Sequence, residues 1–459
     1  MIINKKIQTI LDSLPKEVHT IVTSLEKNGF ECYPVGGAVR DLLLNRPTSD
    51  FDFTTNATPQ EVINIFPSVI PTGIKHGTVS VLLNHKTYEI TTYRNETTYS
   101  DNRHSDKVQF AKTLKEDLSR RDFTINGLAL DIKKKKIIDR TKGRRDLKKR
   151  IIRTIGKATE RFEEDALRMM RACRFASTLN FKLHKKTYKA ITELHYLTTN
   201  ISAERVRDEF IRIILSDKPS IGLELLRETK IMQHFLPELL EGYGVEQNKY
   251  HVYDIYYHNL NSCNAAATLT DNLTIRLAAL FHDIGKSRAI RSKENNINTF
   301  YNHEMYSYRM ARAIMKRLKF SNSDIATTLE LIKYHMFHYT QDWTDGAIRR
   351  FIRKTDEILD KLFILRESDR IGSGKRKGYS KIIEEFKKRI KKMKDEDSAF
   401  KIKDLNITGN DIMEIRKIKP SPLVGEILEY LMQLVLDEPK LNTKEQLVQL
   451  VKDYTIQSQ

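Results

Sequence analysis

Apolar residues recur at helical spacing through residues 4–28, with Ile7, Ile10, Leu11 and Leu14 on one face and a break near Pro15. The period then shortens. Glu31-Cys32-Tyr33-Pro34-Val35 reads as a strand, Ala38 to Leu44 as a short helix, and residues 50–55 as a second strand. Thr58-Pro59-Gln60-Glu61 has the form of a helix start: a capping threonine, proline at the first position and a glutamate placed to close a capping box. Thr78 to Leu83 and Lys86 to Tyr93 are β-like runs joined at Asn84-His85, and Leu128 to Asp131 with Ile137 to Asp139 forms a hairpin around a lysine turn. From Thr159 almost to the end the period is helical. The pattern predicts an α+β chain: a small mixed β-sheet head flanked by helices, then an elongated all-helical neck, body and tail.

At 459 residues the chain exceeds one compact core, and about two to four domains are expected. Lys and Arg number 79 against 60 Asp and Glu, a formal charge of +19 that favours a polyanionic partner and salt-dependent association. Cys32, Cys173 and Cys263 are too few and too scattered for a disulfide framework or a cysteine metal site. No apolar run approaches a membrane span, and the N-terminus carries no long apolar segment, so a soluble cytoplasmic protein with no membrane partner is expected.

The chemistry concentrates first around Gly36-Gly37-Ala38-Val39-Arg40-Asp41 and Asp50-Phe51-Asp52-Phe53. A strand turning through two glycines into a helix presents backbone N–H groups to an anion, and the absent side chains let a phosphate approach. Alternation over 50–53 puts both carboxylates on one strand face and both phenylalanines on the other. Carboxylates beside a phosphate cradle suit Mg²⁺-assisted phosphoryl chemistry. The combination resembles the nucleotidyltransferase superfamily that includes DNA polymerase beta. In detail it is similar to class II tRNA nucleotidyltransferases (CCA-adding enzymes) and the related bacterial poly(A) polymerases.

Further stretches match that family in order. Thr113 to Glu116 caps a helix leading to Arg120-Arg121-Asp122-Phe123-Thr124-Ile125-Asn126, which matches the second family motif. An arginine pair beside an aspartate on a helix is also an ordinary salt-bridged face; beside the glycine motif, Arg121 reads as a triphosphate contact. In Arg161-Phe162-Glu163-Glu164-Asp165-Ala166-Leu167-Arg168, continuing through Arg171 and Arg174, charges recur at three-residue helical spacing. The segment resembles the family's E-D-x-x-R motif. The resemblance assigns Asp165 and Arg168 to the Watson–Crick edge of the incoming base, with Arg171 and Arg174 as supporting contacts. A carboxylate accepts from an exocyclic amine and a guanidinium donates to a ring nitrogen or carbonyl, which cytosine and adenine satisfy and guanine and uracil do not. Ile201-Ser202-Ala203-Glu204 opens a serine-capped helix matching a further motif, read as a scaffold for the base-reading helix. The polar stretch 94–107 is similar to the family's flexible loop that switches from cytidine to adenosine addition.

A second constellation lies within 251–370: His258, His282-Asp283, His303, His335 and Asp369. His282-Asp283 closes the apolar run 277–286, an expected helix ending at Gly285. Adjacent side chains diverge on a helix, so a shared metal needs ligands from elsewhere, with His258 and Asp369 as candidates. Imidazole with carboxylate suits Mg, Mn, Ni, Fe or Zn. The region resembles an HD phosphohydrolase domain, which implies a second divalent metal and hydrolysis of RNA 3′ or cyclic phosphates. Gly372 to Ser380 reads as a basic linker to a lysine-rich helix over 381–394, and 407–445 resembles the family's tRNA-elbow domain, with Ser421 where glycine is expected.

The division expected is 1–140 catalytic head, 141–235 neck, 236–375 HD-type domain and 376–459 tRNA-binding tail. The resemblance implies a polymerase-beta-like head and addition of the tRNA 3′-terminal CCA from CTP and ATP. Asp50 and Asp52 would hold Mg²⁺ in a two-metal mechanism, with Gly36, Gly37, Arg40 and Arg121 at the triphosphate. The expected partners are tRNA, ATP and CTP, and the expected state a monomer or homodimer. Poly(A) polymerase, A-only or CC-only addition, and an HD phosphohydrolase are the alternatives.

Overall fold

The computed structural model describes residues 2–95, 109–247, 251–292, 298–375, 381–396 and 401–455. The chain forms two compact units: Met1–Leu240 with Arg317–Lys319, and Glu241–Lys316 with Phe320–Gln459. The fold class is α+β, as the periodicity predicts.

The first unit opens with helices Ile2–Asp12 and Lys16–Lys27, broken at Pro15 as expected, and Ile7, Ile10, Leu11 and Leu14 are all buried. A seven-stranded mixed sheet follows: β1 (Cys32–Val35), β2 (Asp52–Thr55), β3 (Val69–Ile70), β4 (Thr78–Leu83), β5 (Lys86–Thr92), β6 (Leu128–Asp131) and β7 (Lys136–Asp139), in the order β3-β4-β5-β2-β1-β6-β7. Both faces are covered: Phe53, Val79, Val81 and Ile90 are buried on one, and Val35 and Ala129, paired with each other and packed with Leu118, on the other. Neighbouring strands pair antiparallel except β2 and β5, which run parallel with Phe53 opposite Ile90. The β4–β5 hairpin turns through Asn84 and His85, both left-handed (φ 49° and 62°), a two-residue turn whose hand matches the strand twist. The capping box at Thr58 forms with both bonds in place, worth about 1 kcal/mol to that helix start.

Helix α1 (Gly37–Leu43) leaves β1, α2 (Leu114–Ser119) precedes the second motif, and α3 (Ala158–Glu164), α4 (Leu167–Leu179) and α5 (Ala203–Ile214) follow the sheet in the same unit. Arg120 to Asp122 follow directly on the end of α2, the capped helix that leads to them. One expectation fails here. The segment 161–175 is two helices broken at Asp165, whose backbone is extended (φ −147°, ψ 105°). Ser202 stands at the start of α5, but its side chain makes no capping bond.

In the second unit, α6 (Ile255–Leu269), α7 (Leu273–Phe281), α8 (His303–Arg317), α9 (Asn322–Tyr334) and α10 (Leu359–Gly372) carry the histidine constellation. Helix α7 stops at Phe281 with His282 as its cap, earlier than the glycine stop expected. The tail has its own core around Ile412, Leu431, Leu436 and Leu447. Ser421 is extended (φ −157°) at a helix start, a backbone that does not call for glycine. The stretch 94–107 falls outside the described residues except for Arg94 and Asn95, as do 376–380 of the linker. Among the described residues no helix is long and apolar enough to cross a membrane.

Candidate active site

Gly36, between β1 and α1, lies at φ 72° and ψ −130°, a conformation that only glycine adopts without strain. A Cβ there would lie 3.1 Å from Arg121 Nη1, and one at Gly37 would lie 3.6 Å from Arg40 Nη2. The glycine turn therefore has two guanidinium groups against it. Arg40 is buried and anchored: its Nε and Nη2 donate to Asp41 at 3.0 and 2.7 Å, and Nη1 donates to Asn126 Oδ1 at 2.8 Å. Among the described residues, Arg121 is held by one long contact, Nη2 to Asp117 Oδ2 at 3.4 Å, and its buried Nε has no hydrogen-bond partner. A buried charged donor without an acceptor is costly, and an anion at the turn would satisfy it.

The carboxylates stand beside this turn. Phe51 and Phe53 are buried while Asp50 and Asp52 are exposed, the alternation read from the sequence, although the strand proper begins only at Asp52. The parallel register that sets Phe53 opposite Ile90 brings Glu89 alongside Asp52. Glu89 is a third acidic group that the sequence reading missed. Asp52 is reached by solvent, yet the surrounding walls push its pKa up to about 6, with Asp50 and Glu89 adding and Arg121 opposing. Three carboxylates crowded at one edge, with hard oxygen donors exposed, form a set that a divalent cation would neutralise. Buried Asp117 ties the site together: it accepts from Thr54 Oγ1 at 3.2 Å and pairs with Arg120 at 2.8 Å.

The four neck residues named from the sequence occupy one region but not one helix. Asp165 sits in the break between α3 and α4, and Arg205 Nη2 donates to both its carboxylate oxygens. On α4, Arg168 Nη1 donates to Glu164 Oε2 at 2.6 Å, Arg171 to Asp122 Oδ2 at 2.6 and 2.9 Å, and Arg174 to Glu209 Oε2 at 2.6 Å. Burial opposes ionisation of Asp122, but Arg171 and Asn126 outweigh it and hold the pKa at about 2. Arg205 and Glu209, read only as scaffold, are thus direct partners of Asp165 and Arg174.

In the second unit the histidine constellation assembles around Asp283. His258 Nε2 lies 3.0 Å from Asp283 Oδ2, 3.3 Å from Asp369 Oδ1 and 3.1 Å from His282 Nε2. His303 and His335 approach the other oxygen, Oδ1, at 3.1 and 3.6 Å. Gly285 makes this approach feasible, since a Cβ there would strike the backbone of His303 and Ser307. Two potential ligand sets result, His251 with His258, Asp283 and Asp369, and Asp283 with His303 and His335. His251 was not foreseen. The ring nitrogens Nδ1 of His282, His303 and His335 face the carbonyls of Ala279, Phe300 and Ile332 at 3.0, 2.8 and 2.7 Å. A carbonyl only accepts, so Nδ1 of each ring donates there, and in the neutral form His303 and His335 turn an Nε2 lone pair toward Asp283. At His282 the pull of burial is outweighed by Asp283 and Asp369, which raise the pKa to about 10. Nε2 of both His303 and His335 is buried without a hydrogen bond. Lone pairs facing a carboxylate fit a cation between them. Lys286 Nζ supplies one positive charge, at 2.5 Å from Asp283 Oδ2.

Residues 32–153 match the Poly A polymerase head domain, 180–242 the RNA and SrmB-binding site of polymerase A, and 289–451 the tRNA nucleotidyltransferase domain 2. The chain is 33% identical over 438 residues to the CCA-adding enzyme of Enterococcus faecalis, covering 95% of each. It is 33% identical over 447 residues to that of Ligilactobacillus salivarius, covering 96% of this chain and 98% of the other. Among solved structures, the Bacillus stearothermophilus CCA-adding enzyme in complex with CTP superimposes with a TM-score of 0.73 at 28% identity, over 95% of this chain and 96% of that one.

Proposed function

We propose, since this chain belongs to the CCA-adding enzyme family of tRNA nucleotidyltransferases, that it builds or repairs the tRNA 3′-terminal CCA from CTP and ATP at the glycine–carboxylate site. The observation that carries the reading is the unpartnered Arg121 Nε, over the Gly36 turn and within electrostatic reach of Asp52.

In this reading Arg40, Arg121 and the Gly36-Gly37 backbone take the triphosphate, and Asp165 and Arg168 take the base edge. Asp165 accepts from the amino group of cytosine or adenine, and Arg168 donates to the adjacent ring nitrogen; uracil and guanine offer a carbonyl where the amine is required. The tRNA 3′ oxygen bonds to the α-phosphorus as the bond to pyrophosphate breaks. Asp50, Asp52 and Glu89 would hold Mg²⁺, proposed as a pair, which activates the attacking hydroxyl and offsets charge on the leaving group. The net charge of +19 supports tRNA binding through the phosphate backbone and shape. Residues 1–140 are assigned to catalysis and 141–235 to base recognition, with 376–459 to tRNA binding. Poly(A) addition and A-only or CC-only addition remain the competing readings.

The test offers Mg²⁺ and tRNA transcripts ending at the discriminator base, after C and after CC, with CTP, ATP or both. Growth by three nucleotides and a clean stop supports CCA addition. A long A ladder, or A added only to the CC transcript, moves the assignment to the competitors.

A second reading rests on the lone pairs turned toward Asp283. His258, His282, Asp283 and Asp369, with His303 and His335 on the other oxygen, form an HD-type centre for one or two divalent ions, assigned to residues 236–375. A bound ion would supply Lewis acidity to a phosphate ester, and the proposed activity is hydrolysis of RNA 3′ or cyclic phosphates. Opening of a 2′,3′-cyclic nucleotide to its phosphomonoester, or release of phosphate from a 3′-phosphorylated RNA end, abolished in Asp283→Asn would support it.

A further inference from the structure

We infer that Asn126 is a positioning residue, which registers the phosphate-side arginine of the head against the neck helix that carries the base-side arginines. Asn126 ends the short turn Thr124–Asn126 and is buried. Its Oδ1 accepts from Arg40 Nη1 at 2.8 Å, and its Nδ2 donates to Asp122 Oδ1 at 3.0 Å. Asp122 Oδ2 in turn receives Arg171 of α4 at 2.6 and 2.9 Å. The result is one line of hydrogen bonds, Arg40–Asn126–Asp122–Arg171, joining α1 to α4, with its first three members buried and Arg171 partly exposed.

The amide is suited to its place by polarity. Arg40 only donates and ionised Asp122 only accepts, so the group between them must accept on one side and donate on the other. That also settles which way the amide points. A carboxylate there would face Asp122 with like charge, and an apolar side chain would leave both neighbours unsatisfied. Arg40 has little freedom besides, because Asp41 holds its other edge at 3.0 and 2.7 Å. A second contact follows the same route: the Phe175 ring of α4 lies under Arg174 at 3.7 Å and beside Arg40 at 5.1 Å. A displacement of α4 is therefore felt at Arg40.

The consequence for the reaction concerns alignment rather than affinity. Without Asn126 both arginines can still touch a bound nucleotide, but the distance between the triphosphate contact and the base-side contact is no longer set. The α-phosphorus then meets the tRNA 3′ oxygen less often in line. A misplacement of about 1 Å costs about 10²-fold in rate while leaving ground-state contacts largely in place.

The inference rests on the reading of Arg40 and Arg171 as nucleotide contacts, and the experiment separates the two. The full-length protein is assayed for addition of C to a tRNA transcript ending at the discriminator base, as wild type and as Asn126→Leu, Arg40→Lys, Arg171→Lys and their combinations. Asn126→Ser, too short to bridge both neighbours, serves if the leucine variant fails to fold. The expected result is a fall in kcat of about 10- to 100-fold for Asn126→Leu, with KM for CTP changed less than about threefold. In the wild-type background the losses of Arg40→Lys and Arg171→Lys fail to multiply; in the Asn126 background they multiply, because the link between them is gone. A purely structural residue would lower the melting temperature without changing that coupling. Losses that already multiply in the wild-type background, or a rise in KM alone, overturn the inference. Should Arg40→Lys and Arg171→Lys leave nucleotide use untouched, the underlying site reading fails and this inference falls with it.

Discussion

Arg205 Nη2 donates to both carboxylate oxygens of Asp165, at 2.9 and 3.2 Å. The pair fixes the plane of the carboxylate at the break between α3 and α4, and that plane decides which donors Asp165 can take. Arg205→Ala is expected to lower the preference for CTP over UTP by about tenfold, about 1.4 kcal/mol of discrimination. Arg205→Lys, a single point charge in place of a fork, should fall between. Competitive incorporation on one transcript measures it, and unchanged selectivity would remove Arg205 from base reading.

Glu209 and Arg174 form a buried pair, 4% and 8% exposed. Removing one partner strands the other's charge, so Glu209→Ala is expected to cost about 3–5 kcal/mol of stability. The double replacement Glu209→Leu with Arg174→Met should recover most of that while leaving nucleotide addition impaired. Urea unfolding of the three proteins checks both statements, and a single replacement costing under about 1 kcal/mol would place the pair at an effectively solvated surface.

The pKa of Asp52 near 6 has a definite sign for stability. Its folded value lies above the ordinary carboxylate value, so the folded state holds the proton more tightly and ionisation opposes folding as pH rises through about 6. Without Mg²⁺, Asp52→Asn should therefore melt higher than wild type above pH 6, with the difference closing toward pH 4. Mg²⁺ should raise the wild-type melting temperature at pH 8 and have little effect at pH 5. Thermal melts across pH in chelator and in Mg²⁺ measure both, and a pH-independent difference would contradict the crowding of Asp52 by Asp50 and Glu89. Asp52→Ala should also reduce nucleotide incorporation by at least about 10³-fold while tRNA binding persists.

At the histidine centre, protein purified without chelator should carry about one to two equivalents of a divalent transition metal by mass spectrometry. Stripping it should lower the melting temperature, because Nε2 lone pairs would again face Asp283 unneutralised. Asp283→Asn should carry less than a tenth of the wild-type metal and still add CCA in Mg²⁺. Full metal content in Asp283→Asn would remove the proposed shared ligand.

Local signals in the chain carried much of this architecture. Pro15, the Thr58 capping box and the left-handed pair Asn84-His85 each act within a few residues, and each appears where the sequence reading put it. The glycine turn and the Asp50–Asp52 alternation are equally local. What was misread depends on distant partners. Three-residue spacing from Asp165 to Arg174 suggests one helix, but Asp165 is extended, with Arg205 on its carboxylate and its own Oδ1 bonded to the Leu167 N–H at 3.0 Å. Arg120 and Arg121 share Asp117 rather than Asp122, which belongs to Arg171, forty-nine residues on. Glu89 is an ordinary strand residue until β5 pairs with β2, and His251 is a lone histidine until α6 brings His258 within 4.9 Å of its ring.

The parallel pairing of β2 with β5 has one more consequence. Side chains on a strand alternate faces, so a slip of β5 by a single residue would turn Glu89 away and offer Ile90 or Tyr88 to the cleft instead. The hairpin tip at Asn84-His85 sets where β5 starts relative to β4, and through that ladder it sets where an acidic group lies relative to Asp52. The electrostatic character of the cleft is thus governed by loop length at a turn that carries no chemistry. An insertion there would reset the charge at the catalytic edge without altering any residue in it.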